Sequence, residues 1–389
     1  MRRYLIVALA LLGGGLQAAE HPNAPQPVHD EFNFVVLGDA QFDAPEAFNR
    51  IIDQTRRLRP AFVIQVGDLI DGYNSDLAAI QAEWDRYKKQ IAPLAPIAFL
   101  PVPGNHDVYN GDKQPDQALT DLFNQHWGAS RWSFTYKNTL LVGLNSDAPG
   151  AINQIAGTQW QWLVETLSTS TATHKMVFMH RPPWLMANAD DIHELFKRQG
   201  VSHAIYGHHH HFHHSQRDQV NYTMTNAAGD SVHHRQEIGG MPHLLHVSVR
   251  GEEVDVAAIV ADAILPIDAV KPEDNYDYFN LSRGLAPRQI KLQPQDSYQF
   301  VMDLPLANTS ERDIQVFISC FSADNRWSFT PTRLEVVNLA PRAQHTVTLR
   351  AHFDDQRQPE SEPKCQLRIP FQTATGQWLE LRHQVTGTR

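Results

Sequence analysis

Five short clusters of metal-binding side chains, each closing a short apolar run, constrain this chain more than any other feature. They are Gly38-Asp-Ala-Gln41, Gly67-Asp-Leu-Ile-Asp71, Gly104-Asn-His-Asp107, His180-Arg-Pro-Pro183 and Gly207-His-His-His210. Runs such as Phe32–Leu37 and Ala61–Val66 read as buried strands. Only a fold that gathers the ends of several strands brings Asp, Asn, Gln and His together in this way. In open α/β sheets the ligand site lies beyond the carboxyl ends of the strands. The natural tenant of so many oxygen and imidazole donors is a pair of divalent metal ions.

Strand-like and helix-like runs alternate from Phe32 to about Val260. Phe32–Leu37, Ala61–Val66, Ile97–Val102, Leu140–Leu144, Lys175–Met179 and His203–Tyr206 read as strands, and Tyr222–Thr225, Leu244–Val249 and Val254–Val260 as closing strands. Pro45–Leu58, Leu77–Ala92, Gln117–Trp127, Gln159–Ser168 and Asp191–Gln199 read as helices, several with Asp or Pro near their starts. The alternation predicts an α/β domain over residues 31–262. Residues 263–288 carry scattered prolines and no period, so they read as a linker. Residues 289–389 alternate apolar and polar between Asn, Pro and Asp turns, which predicts an all-β, immunoglobulin-like sandwich.

The first 19 residues read as an export signal: Arg2 and Arg3, an apolar stretch from Tyr4 to Leu12, and a small-residue cleavage site near Ala18 or Ala19. The apolar run is short for a membrane span, which needs about 20 residues. Residues 20–30 are a polar, proline-rich leader. The expected location is therefore periplasmic or secreted, with no transmembrane segment after cleavage. In such a compartment Cys320 and Cys365 suggest a disulfide, with two buried thiols as the alternative. The net charge of −10 argues against a nucleic-acid duplex as partner. It leaves room for a nucleotide or other small phosphorylated substrate, because bound metal ions supply positive charge at the site itself.

Hydrolysing a phosphoester at neutral pH needs an attacking hydroxide, charge neutralisation on the phosphoryl oxygens and a proton for the leaving oxygen. Two metal ions meet the first two needs. The order Gly-Asp-x-Gln, Gly-Asp-x-x-Asp, Gly-Asn-His-Asp, His and Gly-His-x-His is similar to that of the calcineurin-like metallophosphoesterases. Gly157-Thr-Gln-Trp-Gln-Trp-Leu163 also looks like the helix start that precedes the lone His in that family. The likeness covers roughly Phe32 to Val260. It implies a layered β-sandwich flanked by helices and a metal-dependent phosphoric ester hydrolase, acting on monoesters or diesters.

Carried over position by position, Asp68 resembles the bridging carboxylate. Asp39, Gln41 and His210 would complete one metal site, and Asn105, His180 and His208 the other. His106 looks like the group that protonates the leaving oxygen or steadies the phosphoryl group, with the Asp71 carboxylate accepting its second ring proton. Many members have His where this chain has Gln41. An amide oxygen favours an oxygen-preferring ion, so manganese joins zinc and iron as a candidate; the alternative is that Gln41 does not ligate and hydrogen-bonds a metal-bound water instead. Arg181 is read as a partner for a substrate phosphate or as a surface salt bridge, and Trp184 as a pocket ring able to stack a nucleobase or as loop packing. Asn145 and Asp147 line the pocket or merely pack a loop. His209, His211, His213 and His214 read as a solvated loop, against an auxiliary metal-scavenging arm; His203 reads as core, and His233 and His234 as surface. Two rival functions stand beside the phosphoesterase: a nucleotide pyrophosphatase-type hydrolase, and a non-catalytic periplasmic metal-binding or adhesion protein. Oligomeric state is not legible.

Overall fold

Alternation along Phe32–Leu37, the first strand β1, decides the layering. Phe32, Phe34 and Val36 enter a core between two sheets, whereas Val35 and Leu37 enter a second core beneath helices. The computed structural model describes residues 31–225, 228–229, 235–260, 263–330, 335–354 and 358–389. The expectations for the export signal, the leader, His233 and His234 lie outside the described residues.

The next elements are α1 (Pro45–Leu58), β2 (Phe62–Val66), α2 (Leu77–Ile91), β3 (Ala98–Val102), the single turn α3 (Asn105–Val108) and α4 (Gln117–Trp127). The strands β1, β2 and β3 run parallel. The second half-domain holds β4 (Trp132–Tyr136), β5 (Thr139–Gly143), α5 (Gly157–Thr169), β6 (His174–Phe178), α6 (Ala189–Gln199), β7 (His203–Tyr206), β8 (His213–Arg217) and β9 (Val220–Met224). These strands form a six-stranded sheet in the order β4-β5-β6-β7-β9-β8, with β5, β6, β7 and β9 parallel. The chain then returns as β10 (His243–Arg250), β11 (Glu253–Val260) and β12 (Ala263–Pro266), completing the first sheet in the order β12-β11-β10-β1-β2-β3.

The two sheets pack face to face over Phe34, Phe62, Ile64, Phe134, Met176 and Phe178. Helices α1, α2 and α4 cover the outer face of the first sheet through Phe48, Ile52, Trp84, Tyr87 and Phe123. Helices α5 and α6 cover the second through Leu163, Leu167, Ile192 and Phe196. Asp76 and Asp116 cap α2 and α4 by accepting from main-chain N–H groups two residues on. The result is a four-layer α/β domain with the β1, β2, β3, β5, β6 and β7 carboxyl ends at one edge. Among the described residues no helix is long and apolar enough to cross a membrane.

Residues 263–288, read as a linker, carry regular structure. They contain β12 and the helix α7 (Pro272–Gly284), whose Asp274, Asn275, Asp277 and Leu281 are buried. Wedged between two domains, α7 buries polar residues that find specific partners, so it shows no amphipathic period. Asn275 Nδ2 donates to the Ile238 carbonyl at 2.9 Å, and Asp274 and Asp277 receive Arg312.

The C-terminal part opens with β13 (Gln289–Lys291), β14 (Gln293–Pro294), β15 (Gln299–Ala307), β16 (Ile314–Phe321) and β17 (Ser328–Thr330). It continues with β18 (Glu335–Leu339), β19 (Gln344–His352), β20 (Lys364–Gln372) and β21 (Trp378–Thr388). Two sheets, β13-β21-β20-β16-β18 and β14-β15-β19-β17, share one core of Val316, Leu349, Leu367 and Leu381, which Leu281 and Leu285 of the α7 region join. Cys320 and Cys365 face each other across β16 and β20 and form a disulfide.

Candidate metal centre

Each expected ligand sits just past a strand end: Asp39 after β1, Asp68 after β2, Asn105 after β3, His180 after β6 and His208 after β7. The turns there are tight. Gln41, Asp68, His208 and His210 all adopt positive φ, at 37, 51, 81 and 53°. Backbone strain of this kind collects at functional sites. Two glycines permit the approach: a Cβ on Gly104 would lie 2.2 Å from Asp68 Oδ1, and one on Gly207 would lie 2.4 Å from Asp39 Oδ1.

The donors converge in two groups. Asp39, Asp68 and His210 form one and Asp68, His180 and His208 the other; within each, the candidate ligand atoms lie within 4.8 Å of one another. Asp68 belongs to both. His210 Nε2 is 2.9 Å from Asp39 Oδ2, and His180 Nε2 is 3.1 Å from Asp68 Oδ2. Asn105 Oδ1 joins the second group 3.0 Å from His180 Nε2, and His208 Nδ1 lies 3.0 Å from the same nitrogen. Gln41 is buried in the turn beside Asp39, where its N–H donates to the Asp68 carbonyl at 3.3 Å.

This donor set fits a pair of first-row divalent ions, with carboxylate and imidazole ligands around a shared carboxylate. The electrostatics point the same way. Burial by itself lowers the His180 pKa, yet the Asp68 charge overrides it and lifts the imidazole to about 10. Burial likewise raises the Asp68 carboxyl, and the charges of His180 and His106 bring it well below the usual range. Metal binding would compete with a proton on His180 for the same nitrogen. Burial holds His208 at about 2, so it presents neutral imidazole. A third group, His193, Glu194 and Asp218, is mostly exposed, and Lys197 Nζ already sits 3.2 Å from Asp218 Oδ2. An ammonium there stands where an ion would.

Around the donors the holding contacts are specific. His180 Nδ1 donates to the Val66 carbonyl at 2.9 Å, leaving Nε2 directed at the centre. The His106 main-chain N–H donates to Asp68 Oδ1 at 2.9 Å and fixes that carboxylate. Asn105 Nδ2 donates to the Tyr73 hydroxyl at 2.5 Å, and the Tyr73 ring packs 4.3 Å from that of His106. Asp107 accepts from the N–H groups of Leu69, Ile70 and Gly104, tying the Asp68 loop to the Asn105 turn. Burial, reinforced by the Asp68 charge, pushes the Asp107 carboxyl well up. Sequence reasoning gave neither Tyr73 nor Asp107 a role. The signal for Asp107 was its place three residues after Gly104; Tyr73 carried none.

Two expectations need correction. The Asp71 carboxylate does not accept the His106 ring proton: His106 Nδ1 donates to the Asp71 main-chain carbonyl at 2.5 Å, while Asp71 Oδ1 accepts from the Phe42 N–H. The chain turns at Gly72, where a Cβ would strike the His106 carbonyl at 1.6 Å, and this turn aims the peptide group at the ring. Arg181 reaches the centre and is not a surface ion pair. Its Nε donates to buried Asp147 at 2.6 Å, Nη1 lies 3.0 Å from His208 Nε2 and Nη2 lies 3.5 Å from the Tyr109 hydroxyl. Asp147 in turn sits in a packed loop: its N–H donates to Asn145 Oδ1, and Gln159 of α5 exchanges two hydrogen bonds with the Asn145 backbone.

Trp184 is not among the side chains that converge on the centre. Its ring stands edge-on to Tyr206 at 4.8 Å and borders a separate cavity with His193, Arg217 and Tyr222. The histidine run is not a solvated loop. His211 and His213 are buried, and the rings of His209, His211 and His213 follow one another at 5.8 and 5.2 Å beside Tyr276. Tyr276 of α7 supplies the cover that a local reading could not see. Among the described residues these rings do not form a metal-binding group of their own. His203 is buried.

Two carboxylates and several imidazoles at the joined carboxyl edges of two stacked mixed sheets define a dinuclear-type metal site on a four-layer α/β scaffold. Residues 32–212 match the family model of the calcineurin-like phosphoesterases. Among curated proteins, the chain is 35% identical over 80 residues to the manganese-dependent ADP-ribose/CDP-alcohol diphosphatase of Xenopus tropicalis, covering 19% of this chain and 23% of that protein. It is 28% identical over 174 residues to the serine/threonine-protein phosphatase CPPED1 of Danio rerio, covering 39% and 54%. The chain thus spans about half or less of the length of these relatives. Among solved structures, the purple acid phosphatase PPD1 from yellow lupin (Lupinus luteus) seeds has a TM-score of 0.52 at 13% identity, covering 63% of this chain and 54% of that one. That likeness concerns the fold alone.

Proposed function

We propose that this chain is an exported metal-dependent phosphoric ester hydrolase with a dinuclear centre. The observation that carries the reading is Asp68, one buried carboxylate shared by two converging donor groups. Asp39, Gln41, Asp68 and His210 would hold one ion, and Asp68, Asn105, His180 and His208 the other. When bound, such a pair supplies an activated water and neutralises charge on the phosphoryl oxygens. Manganese, zinc and iron suit the mixed oxygen and imidazole donors.

The protein's own part is positioning and proton transfer. With Nδ1 of His106 donating to the Asp71 carbonyl, Nε2 is the atom that hands a proton to the leaving oxygen. The Tyr73 ring keeps the imidazole in that orientation. Asp147 holds the Arg181 guanidinium beside His208.

The substrate is a small phosphomonoester or phosphodiester. A second reading, hydrolysis of a nucleotide diphosphate bond, draws support from Gln41 and from the local likeness to a diphosphatase. Metal-stripped protein reloaded with manganese, zinc or iron and assayed on nitrophenyl phosphate, its bis-ester and a nucleoside diphosphate ester separates these readings. Stoichiometric metal with no turnover on any of them would favour a metal-binding or adhesion role instead.

Export rests on the amino-terminal pattern and gains support from the Cys320–Cys365 disulfide, since such bridges persist in oxidising compartments. Mass spectrometry of the mature amino terminus tests it, and an intact Met1 would refute it. We read the C-terminal sandwich as immunoglobulin-like; support comes from its first strand, β13, pairing parallel with its last, β21.

A further inference from the structure

A cavity of about 600 Å³ opens beside the metal centre, walled on one side by His208, His209, His210 and His211 and on the other by α7. We infer that this cavity is the subsite for a planar aromatic group on the substrate, with Phe279 and Arg283 of α7 as its specificity-determining residues. The inference rests on the phosphoesterase reading and adds to it the part of the substrate that the metals do not touch.

Continuity comes first. His208 and His210 belong both to the converging donor groups and to the cavity wall, which puts the cavity next to the centre and within reach of the organic part of a phosphoryl compound held there. The volume lies in the range of small-molecule sites, about 300–1,000 Å³, and exceeds what a phosphate alone would fill.

The α7 face supplies the chemistry. Tyr276, Phe279, Asn280 and Arg283 follow the i, i+3, i+4, i+7 spacing of one helix face and all line the cavity. The opposite face, with Asp274, Asp277 and Leu281, is fastened to the C-terminal domain, so the wall is held in place before a ligand arrives. The Arg283 guanidinium lies 4.1 Å over the Phe279 ring. Among the described residues Arg283 is in no ion pair, and the side chain is exposed. A guanidinium close over one ring can also meet a second π system, which favours a planar aromatic group over an aliphatic chain.

The test uses full-length protein, metal-loaded and metal-stripped, titrated calorimetrically with phenylphosphonate and with methylphosphonate. The wild type should bind the phenyl compound about tenfold tighter, and Phe279→Ala and Arg283→Ala should each bring that ratio towards one. Arg283→Ala alters an exposed residue, so it keeps the test informative if Phe279→Ala does not fold. A wild type without phenyl preference, or a preference that survives in both variants, overturns the inference while metal-dependent methylphosphonate binding leaves the catalytic reading intact. Failure of loaded protein to bind either phosphonate overturns both.

Discussion

Replacing Arg312 with Met should destabilise the join between the two domains by about 3 kcal/mol, and the structure supplies the reason. Arg312 Nε lies 2.8 Å from Asp277 and Nη2 3.2 Å from Asp274, while Nη1 donates to the Gln372 carbonyl at 2.8 Å. The guanidinium also rests 4.3 Å over the Phe371 ring. The Asp274 and Asp277 side chains are only 2% and 10% exposed, so truncating the arginine strands two carboxylates in poor solvent. Losing one partner of a buried pair costs about 3–5 kcal/mol. The low end applies because Arg312 is 28% exposed and Asp274 keeps the Ala374 N–H at 2.9 Å. Urea unfolding followed by tryptophan fluorescence would report the loss in the C-terminal transition. Adding Asp274→Asn and Asp277→Asn to the Met variant removes the stranded charges and should restore about 1–2 kcal/mol. The reasoning fails if the single substitution costs less than about 0.5 kcal/mol, the scale of an ordinary surface change, or if the triple variant is no more stable than the single one.

Other outcomes follow from the centre itself. His106→Gln should lower kcat by about 10²–10⁴ on an alkyl phosphoester and distinctly less on a nitrophenyl ester, whose leaving oxygen hardly needs a proton; equal losses on both would refute the acid role. Asp68→Asn should cost both ions together, because both donor groups share that carboxylate, and elemental analysis showing one ion retained at full occupancy would contradict it. Acid should destabilise the fold through buried histidines: burial holds His203 and His243 at about 4 and His213 at about 3. Their unfolded pKa is about 6.5. The unfolded chain therefore binds more protons below that value. Stability is present above pH 6.5 and falls as pH drops towards 4, by about 1.4 kcal/mol per unit for each histidine. A urea midpoint unchanged between pH 7 and pH 5 would rule this out.

Local sequence determined the strands, their burial and the placement of donors at strand ends, because a buried strand that ends in Gly-Asp or Gly-Asn-His carries its information within about ten residues. Asp39, Asp68, Asn105, His180, His208 and His210 were legible for that reason, and the structure gathers them. Tertiary structure decided what depends on partners distant in the chain. The peptide carbonyl of Asp71, rather than its carboxylate, holds His106, since the orientation of a peptide plane is set by a turn and its neighbours. Arg181 faces inwards because Asp147, 34 residues earlier, is buried beside it. The histidine run is covered by Tyr276, which lies 63 to 67 residues beyond His213 and His209. The helix α7 was illegible for the same reason: wedged between two domains, it shows no single apolar stripe, and its buried polar residues have partners that only the folded chain provides.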